Sequence, residues 1–343
     1  MNESTAHGNS IAATPEALQR AFARQHGRGA KVSNLERLSG GASSQSWRFE
    51  LHDREKGTGL IRRCVLQIFA GGHQYPGALD KRTQALVQRA AFAAGVPTPE
   101  VILILEPQDA LGEGFVSSWQ DGEALGLRIV RDESLDAARR VLVEDCARAL
   151  ARIHAVPTEL LPALPVRDAP CNLRDLEAAH RSYHAPIPVF ELALRWLKSH
   201  RHASATATPR LVHGDFRNGN LLVRPTGLGA VLDWEMAHLG DPLEDLGWLM
   251  VNAWRFGRFE LPAGGFGSRD QLLTAYERES GRSVDADSVR FWQMFGTLQW
   301  GVMCQWFVRE YLTGGAREIE RIAIGRRISE VELDLLDLLR CRD

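Results

Sequence analysis

Two aspartates, a histidine and an asparagine lie close together in the second half of the chain, at a spacing that could support phosphoryl transfer. His213, Asp215 and Asn220 share one segment, and Asp233 follows shortly after. Phosphoryl transfer needs a carboxylate that orients and deprotonates the attacking hydroxyl, and oxygen ligands that hold Mg²⁺ against the phosphates. Amide and carboxylate oxygens are the hard ligands that Mg²⁺ prefers. The pattern predicts a base and a metal site on neighbouring turns.

Short apolar runs precede and follow these polar positions. Such runs would form buried strands that hold the loops between them rigid. The string H-x-D-x-x-x-x-N can arise by chance. A second aspartate in strand context, followed by G-D-P-x-x-D ending at Asp245, favours the functional interpretation. His213 has the alternative of a satisfied core histidine, and Trp248 is expected to pack. Glu235 and His238 fit a site or a surface equally well.

The chain resembles the aminoglycoside phosphotransferase and choline kinase superfamily in three motifs. HGDFRNGN at 213–220 is similar to the superfamily's catalytic loop, where HGD replaces the HRD of protein kinases. DWE at 233–235 stands in the place of the protein kinase DFG, and AHLGDPLEDLGW at 237–248 is similar to the run that follows it. The likeness extends from Leu38 to the C-terminal helix.

The resemblance implies an α+β, protein-kinase-like fold with two lobes: a small β-rich N-lobe and a larger, mainly helical C-lobe. It also implies an ATP-dependent kinase that transfers the γ-phosphate to a hydroxyl of a small molecule, with ATP and Mg²⁺ as cofactors. Asp215 would be the base, Asn220 and Asp233 the Mg²⁺ ligands, and His213 an organiser of the loop. Arg217 would lie near the γ-phosphate and stabilise charge in the transition state. Asp245 would brace the loop through backbone amides.

A glycine- and serine-rich segment precedes the first predicted strand, at 46–51. Glycines let a backbone approach phosphates, and amides and hydroxyls can donate to them. The segment could equally be an ordinary hairpin turn, but its place ahead of the catalytic loop matches the family order. The strand at 114–120 would grip the adenine edge through its backbone. The predicted nucleotide contacts are Gly40, Gly41, Ser43, Ser44, Ser118 and Trp119, together with Gln67 and Gln84.

The chain departs from the family where a strand Lys or Arg and a helix Glu are expected. Gln67 and Gln84 occupy those two positions, so both charges are missing, unless the alignment slips by one residue. Their joint loss is consistent, because removing one partner would leave an unpaired buried charge. Replacing a charge-assisted hydrogen bond by a neutral one costs about 1–2 kcal/mol of phosphate binding. The cations that could compensate are Arg63, Lys81, Arg82 and Arg217.

We expect the chain to divide into a disordered tail at 1–13, a nucleotide-binding lobe at 14–120 and a catalytic and substrate lobe at 121–343. Thr14 and Pro15 start a helix that runs to about Gln25. Strands are predicted at 46–51, 61–69, 101–105 and 115–119, and a helix at 79–94. Helices dominate from about residue 134, interrupted by strand–loop units near 210–223 and 230–234. The later helices are predicted at 243–254, 269–280, 286–311, 316–322 and 327–340.

Composition limits the partners and the compartment. The 343 residues carry a net charge of −2 with a pI near 6.6, which disfavours nucleic acid and anionic membranes. No apolar run approaches the roughly 20 residues of a membrane span, and the polar N-terminus does not resemble a signal peptide. The five cysteines form no CxxC pair, which is typical of a reducing compartment. We expect a cytoplasmic protein, a monomer or homodimer, with a small-molecule hydroxyl substrate.

Two other functions remain open from sequence. Gln67 and Gln84 suggest a catalytically weak or inactive kinase fold that binds a nucleotide or metabolite, although a pure binder has no use for a base. A metal-dependent hydrolase using His213, Asp215 and Asp233 would leave the glycine-rich lobe unexplained. The acceptor is expected to be something other than an aminoglycoside, and partly apolar if the abundant aromatic residues of the last helices line the site rather than the core.

Overall fold

The computed structural model describes residues 13–26, 30–38, 44–52, 61–71, 74–200, 208–314 and 319–340. Nearly all of the predicted N-terminal tail, and the predicted phosphate contacts Gly40, Gly41 and Ser43, lie outside this part of the chain. The chain forms two compact units. The first comprises Met1–Phe92 with Pro99–Gln120, and the second Ala93–Thr98 with Asp121–Asp343.

The first unit is built on a five-stranded antiparallel sheet with the strand order β1-β2-β3-β5-β4. Helix α1 precedes the first strand, and helix α2 lies between the third and fourth strands in sequence. The elements are α1 (Pro15–His26), β1 (Lys31–Leu38), β2 (Ser44–His52), β3 (Ile61–Phe69), α2 (Lys81–Ala93), β4 (Val101–Ile104) and β5 (Gly114–Ser118).

Helix α1 begins where its sequence predicts. The Thr14 hydroxyl accepts a hydrogen bond from the Ala17 amide at 3.2 Å, and Pro15 occupies the first turn, where its missing N–H costs nothing. Leu18 and Phe22 are buried against one face of the sheet, and the Phe22 ring lies 6.1 Å from the ring of Phe49. The apolar face of α1 thus covers the main hydrophobic core of the first unit.

Successive side chains of β3 project from opposite faces of the sheet. Leu66 and Ile68 are buried in the core that α1 covers. Gln67 lies between them, so its side chain projects from the opposite face. Its partner across the β3–β5 pair is Phe115, and opposite residues in an antiparallel pair share a face. Phe115 packs in a small apolar cluster with Ala85 of α2. Gln67 therefore projects from the face that α2 covers.

The second unit is mainly helical, with two short antiparallel strand pairs, β6 with β9 and β7 with β8. Its helices are α3 (Gly126–Arg131), α4 (Asp136–Ile153), α5 (Ala169–Ser182), α6 (Pro188–Ser199), α7 (Leu243–Leu249), α8 (Arg269–Ser280), α9 (Ala286–Leu312), α10 (Ile319–Gly325) and α11 (Ile328–Arg340). Its strands are β6 (Arg210–Val212), β7 (Leu221–Arg224), β8 (Gly227–Val231) and β9 (His238–Gly240). The predicted helix at 243–254 is shorter than expected, because α7 ends at Leu249 and a separate 3-10 turn covers Asn252–Trp254.

The aromatic residues of the last helices form the core of the second unit. They pack with α5, α6, α7 and α11 around the 27-residue helix α9. Most of these rings therefore pack in the core, which was the alternative to a site-lining role, although the Trp254 ring also contacts Arg217 of the loop described below. The buried members are Trp254, Phe291, Trp292, Phe295, Trp300 and Trp306.

Two further observations concern the cysteines and the helices. Burial raises the pKa of the Cys64 and Cys304 thiols to about 12, so neither is a reactive thiolate. Cys146 and Cys171 are also free. None of the described helices combines the length and apolar character needed to cross a membrane.

Candidate active site

The segment with the predicted base forms a loop between β6 and β7. Gly214 adopts φ of +79°, and a Cβ built on it would lie 2.3 Å from the carbonyl oxygen of Met236. Only glycine combines that backbone conformation with so close an approach. The Leu232 amide donates to the Asn220 carbonyl at 2.8 Å, which ties the loop to the turn that follows β8. The loop is held against this turn at both ends.

The carboxylate of Asp215 is held by three hydrogen-bond donors. Its Oδ1 accepts from Arg217 Nε and from the indole Nε1 of Trp248, each at 2.8 Å. Its Oδ2 accepts from Asn220 Nδ2 at 2.6 Å. The side chain is 17% exposed. Since a carboxylate has about four lone-pair positions, three donors fix its orientation and leave one position on Oδ2.

Arg217 is fixed by more than its contact with Asp215. Its Nη1 donates to the Asn218 carbonyl at 3.0 Å, and its guanidinium carbon lies 4.5 Å from the ring centroid of Trp254. Asn218 is fully buried and donates to the Trp254 carbonyl, also at 3.0 Å. The turn that contains Trp254 therefore fixes Arg217 and Asn218 of the loop. Nη2 of Arg217 takes part in neither of these hydrogen bonds.

His213 stabilises the loop from within by hydrogen bonds to its backbone and to the following turn. It is fully buried, its Nδ1 accepts from the Asp215 amide at 3.2 Å, and its Nε2 donates to the Leu232 carbonyl at 3.0 Å. Burial lowers the pKa of His213 below its ordinary value, although Asp245 and Asp215 oppose this shift. A neutral imidazole with both nitrogens bonded to the backbone has no lone pair left to accept a proton or bind a metal.

Asp245 of α7 joins the loop to the helical core. It is fully buried and accepts from the amides of His213 at 2.8 Å and Gly214 at 2.9 Å. Nε2 of His154 donates to it at 3.1 Å, and the other ring nitrogen of His154 lies 2.7 Å from the Tyr276 hydroxyl. Burial alone would raise the pKa of Asp245, but the hydrogen bonds from His154 and from the His213 amide outweigh burial and lower the pKa.

The two predicted metal ligands lie on adjoining segments. Asn220 is buried, and because its Nδ2 is used by Asp215, the amide oxygen is the atom left for a cation. Asp233 follows β8 in a left-handed conformation, with φ of +64°. A non-glycine residue there costs about 1 kcal/mol, so the turn holds Asp233 in a strained position. Within the described part of the chain, no three His, Cys, Asp or Glu side chains are placed to share a metal ion.

From sequence, His238 and Glu235 could each belong to the site or to the surface. His238 is buried and its Nε2 lies 3.2 Å from Glu244, which also accepts from Asn172. Burial lowers the pKa of His238, but the Glu244 carboxylate and its hydrogen bond outweigh burial and raise the pKa above its ordinary value. His238 belongs to a buried ion pair. Glu235 is half-buried.

In the first unit, α2 carries an unexpected buried lysine. Lys81 is 1% exposed, and its Nζ donates to Gln84 Oε1 at 2.9 Å. Gln84 is equally buried. Gln67, the other neutral replacement, projects from the face of the sheet that α2 covers, whereas its neighbours Leu66 and Ile68 face the core on the other side. A slip of one residue in the alignment would place a core residue at that position.

The predicted adenine-contacting strand is β5 and the residue after it. The Ser118 amide donates to the Glu100 carbonyl and the Trp119 amide to the Arg63 carbonyl, both at 2.9 Å. Because both N–H groups are used, a contact from either residue to an adenine would come through its carbonyl oxygen. Ser44 is the first residue of β2 and is buried.

One residue in each unit makes a contact that the sequence does not reveal. Trp248 was expected only to pack, but its indole also donates to Asp215, 33 positions earlier. A tryptophan at helical spacing gives no sign of which polar atom its N–H will reach. Lys81 was named only as one of several cations.

Residues 34–282 match the phosphotransferase enzyme family. This match covers well over half of the chain. The chain therefore belongs to that family, and the geometry around Asp215 lies within the matched residues.

Solved structures confirm the fold class. A protein of Ralstonia eutropha assigned to the aminoglycoside phosphotransferases superposes with a TM-score of 0.72 at 22% identity, over 96% of this chain and 99% of that one. A choline/ethanolamine kinase family protein of Mesorhizobium loti gives 0.60 at 19% identity, over 90% and 89%. An aminoglycoside phosphotransferase in complex with AMP-PNP and hygromycin B gives 0.57 at 17% identity, over 94% and 98%. The fold is the protein-kinase-like α+β fold predicted from sequence.

Curated relatives are larger proteins. The acyl-CoA dehydrogenase family member 11 of Gallus gallus is 28% identical over 74% of this chain and 34% of its own length. Member 10 of Mus musculus is 28% identical over 62% of this chain and 20% of its own length. The chain spans about a third or less of these relatives.

Proposed function

We propose that the protein is an ATP-dependent kinase that transfers the γ-phosphate to a hydroxyl of a small molecule. The observation that carries the proposal is the Asp215 carboxylate, which three donors orient within a loop that belongs to a phosphotransferase family. One lone-pair position on its Oδ2 remains for an acceptor hydroxyl.

In the proposed reaction, Asp215 accepts the proton of the acceptor hydroxyl while the oxygen of that hydroxyl forms the new bond to the γ-phosphorus. The bond between that phosphorus and the β–γ bridging oxygen breaks, and ADP leaves. Arg217 would direct its Nη2 donors to the transferring group and stabilise the charge that spreads over its oxygens. The contacts with Asp215 and the ring of Trp254 would hold the guanidinium in place for this role.

Asn220 and Asp233 supply the amide and carboxylate oxygens that suit Mg²⁺. When bound, the cation would neutralise charge on the phosphates. Two protein ligands fit a Mg²⁺ that completes its six positions with phosphate oxygens and water, since this ion is rarely enclosed by protein alone. The amide oxygen of Asn220 is available because its nitrogen is used by Asp215.

The nucleotide would bind to the first unit. The carbonyl oxygens of Ser118 and Trp119 would accept from the adenine edge, because their amides are already used within the sheet. The glycine- and serine-rich segment with Gly40, Gly41 and Ser43, together with Ser44, would donate to the phosphates.

A catalytically weak or inactive nucleotide-binding protein is the second candidate. The neutral pair Gln67 and Gln84 favours it, because a charged contact of the family is absent at those two positions. The occupied nitrogens of His213 argue against the third possibility, a hydrolase that uses His213 as a metal ligand.

Calorimetric titration with Mg·ATP, followed by measurement of ADP release over a panel of hydroxyl compounds, tests the proposal. The panel should include sugars, amino alcohols and hydroxyacyl thioesters, the last because the curated relatives carry acyl-CoA dehydrogenase in their names. Asp215→Asn should keep nucleotide affinity and lose turnover by about 10²–10⁴-fold. Asp233→Asn should lose the Mg²⁺-dependent part of binding.

Asp175→Asn is the matched control, because this exposed carboxylate of α5 pairs with Arg167, just before that helix, and should change neither quantity. Full turnover by Asp215→Asn would exclude the proposed base. Mg²⁺-dependent binding without ADP release for any acceptor, water included, would favour the inactive nucleotide-binding protein.

A further inference from the structure

A cavity of about 590 Å³ opens in the second unit, lined by residues of α9, of α11 and of the 3-10 turn at Asn252–Trp254. Arg255 and Phe259, which follow this turn, also line it. The volume lies within the range of about 300–1,000 Å³ that is usual for small-molecule sites. The three residues that hold the Asp215 carboxylate do not line this cavity, so the proposed function leaves it without a ligand.

Unused hydrogen-bond acceptors lie along the wall that α9 contributes. Gln293 lines the cavity and is only 7% exposed. Its Nε2 donates to the Met250 carbonyl at 3.3 Å, but its Oε1 accepts no hydrogen bond within the described part of the chain. One turn later, the Thr297 hydroxyl donates to the Gln293 carbonyl at 2.8 Å, so its oxygen lone pairs remain for a ligand. This wall therefore presents acceptors.

The 3-10 turn has the same polarity. Asn252 Nδ2 donates to Asp334 Oδ1 at 2.7 Å, whereas Asn252 Oδ1 is buried and has no partner among the described residues. Arg255 directs Nη1 and Nη2 to the carbonyls of Phe259 and Met250, at 3.0 and 2.6 Å, and its Nε is buried. A buried amide oxygen without a donor costs free energy, which a ligand N–H would recover.

The third wall, formed by α11, adds negative charge. Glu330, Asp334 and Asp337 share one face at helical spacing and line the cavity. Glu330 accepts from Arg327, but Asp337 makes no hydrogen bond or ion pair with any residue that the structure describes. Burial raises the pKa of Asp334, and although the Asn252 hydrogen bond opposes this shift, Glu330 and Asp337 add to it. With three carboxylates and one guanidinium, the lining has a net negative charge.

Charge, polarity and size together define the class of ligand. Free acceptors and excess negative charge favour a cation with N–H donors and disfavour an anion. A metal ion fits less well, because in the described ranges no three His, Cys, Asp or Glu side chains are placed to share one. Phe259 and Leu333 line the cavity with large exposed side chains, against which the apolar part of an organic cation can pack.

We propose that this cavity binds a small organic cation in which a primary ammonium or guanidinium group is joined to an apolar body. The N–H groups donate to the amide oxygen of Gln293 and to the carboxylate of Asp337. The apolar body packs on Phe259 and Leu333. The inference does not depend on the proposed kinase function, because no nucleotide takes part in it.

The cation site lies beside the loop and is not the acceptor position itself. The Trp254 ring lies 4.5 Å from the guanidinium carbon of Arg217, and the Trp254 carbonyl accepts from Asn218. Asn252 and Arg255, on either side of Trp254 in sequence, line the cavity instead. One turn therefore contacts the loop through Trp254 and the cavity through its neighbours.

Phenethylamine is the probe, because it carries a primary ammonium on an aromatic body. Calorimetric titration of the full chain should show saturable binding at a single site. Its N,N,N-trimethyl derivative keeps the charge without an N–H, and phenylacetate reverses the charge. Both should bind about tenfold more weakly or worse, the range for losing a charge-assisted hydrogen bond. No binding of phenethylamine at millimolar concentration, or equal binding of either analogue, would overturn the inference.

Two variants locate the probe. Gln293→Leu removes the amide oxygen at similar volume, and the Met250 carbonyl keeps its hydrogen bond from Arg255. Asp337→Asn changes an exposed carboxylate. Each should weaken phenethylamine binding about 3- to 10-fold. Glu332→Gln is the matched control, because it removes the same charge from α11 at a position that does not line the cavity, and it should leave the affinity unchanged.

Wild-type affinity in either folded variant would overturn the inference. If Gln293→Leu does not fold, Asp337→Asn decides alone, since its side chain is on the surface. Asp215→Asn separates the two sites, because it should bind phenethylamine as the unaltered chain does. A weaker affinity in Asp215→Asn would place the amine at the proposed acceptor position and would likewise overturn the inference.

Discussion

Replacing Trp248 by phenylalanine is expected to slow the reaction about tenfold without weakening nucleotide binding. The substitution keeps an aromatic ring in the core beside Trp254, but it removes the indole N–H that donates to Asp215 Oδ1 at 2.8 Å. A hydrogen bond to a charged group contributes about 1.5–3 kcal/mol. Arg217 still donates to the same oxygen, so the lower end applies, and about 1.4 kcal/mol of lost positioning corresponds to a factor of ten in rate.

Trp292→Phe provides the matched control for this prediction. Trp292 is also buried and also donates its indole N–H to a carboxylate, that of Asp241 at 2.9 Å, but it does not contact Asp215. Urea unfolding should show a similar loss of stability in both variants, about 1–3 kcal/mol. ADP release, with an accepted hydroxyl compound or with water, should slow only in Trp248→Phe. Equal rates in the two variants would refute the positioning role of Trp248.

Three further predictions concern the supports of the loop. Asp245→Asn should lower the free energy of unfolding by about 2–4 kcal/mol, because its amide nitrogen would face donors that now meet an oxygen; a loss below 1 kcal/mol in urea unfolding would contradict this. Gly214→Ala should lower the melting temperature more than Gly281→Ala, although φ is positive at both positions. The added Cβ would lie 2.3 Å from a carbonyl oxygen at position 214 and would meet nothing within 4 Å at position 281, so equal melting temperatures would contradict the clash. The raised pKa of His238 means that its pair with Glu244 contributes stability fully below pH 6.5, the ordinary value, and loses it as the pH rises through the higher pKa of the folded state. Urea unfolding from pH 6 to pH 9 should show this loss in the wild-type chain and a flatter profile in His238→Gln.

Much of the local structure could be predicted because it depends on local rules. The strand at 61–69 and the helix at 269–280 have the predicted bounds. The strand is revealed by its alternation. The helix is bounded by a capping box between Ser268 and Gln271 and by a left-handed Gly281 at its end. Where the prediction was too long, at 243–254, the apolar pattern continued through a turn that sequence periodicity does not detect.

The contacts around Asp215 could be anticipated in part from sequence, because the residues that make several of them share one short loop. The spacing of Asp215 and Asn220 alone places a carboxylate and an amide on the same turn, and they contact each other at 2.6 Å. The role of Asp245 was suggested by the resemblance. The geometry now gives it a physical reason, since a buried carboxylate satisfies two amides of the loop that would otherwise lack partners.

The sequence by itself indicated the class of fold, the place of the loop proposed to be catalytic and the neutral residues Gln67 and Gln84. These follow from short motifs and from their resemblance to a known superfamily, which depend on residue type and spacing along the chain. Only the tertiary structure decided that Trp248 donates to Asp215 and that Lys81 is buried beside Gln84. Such contacts depend on which faces of distant elements meet, and on which polar atoms burial then obliges to find partners.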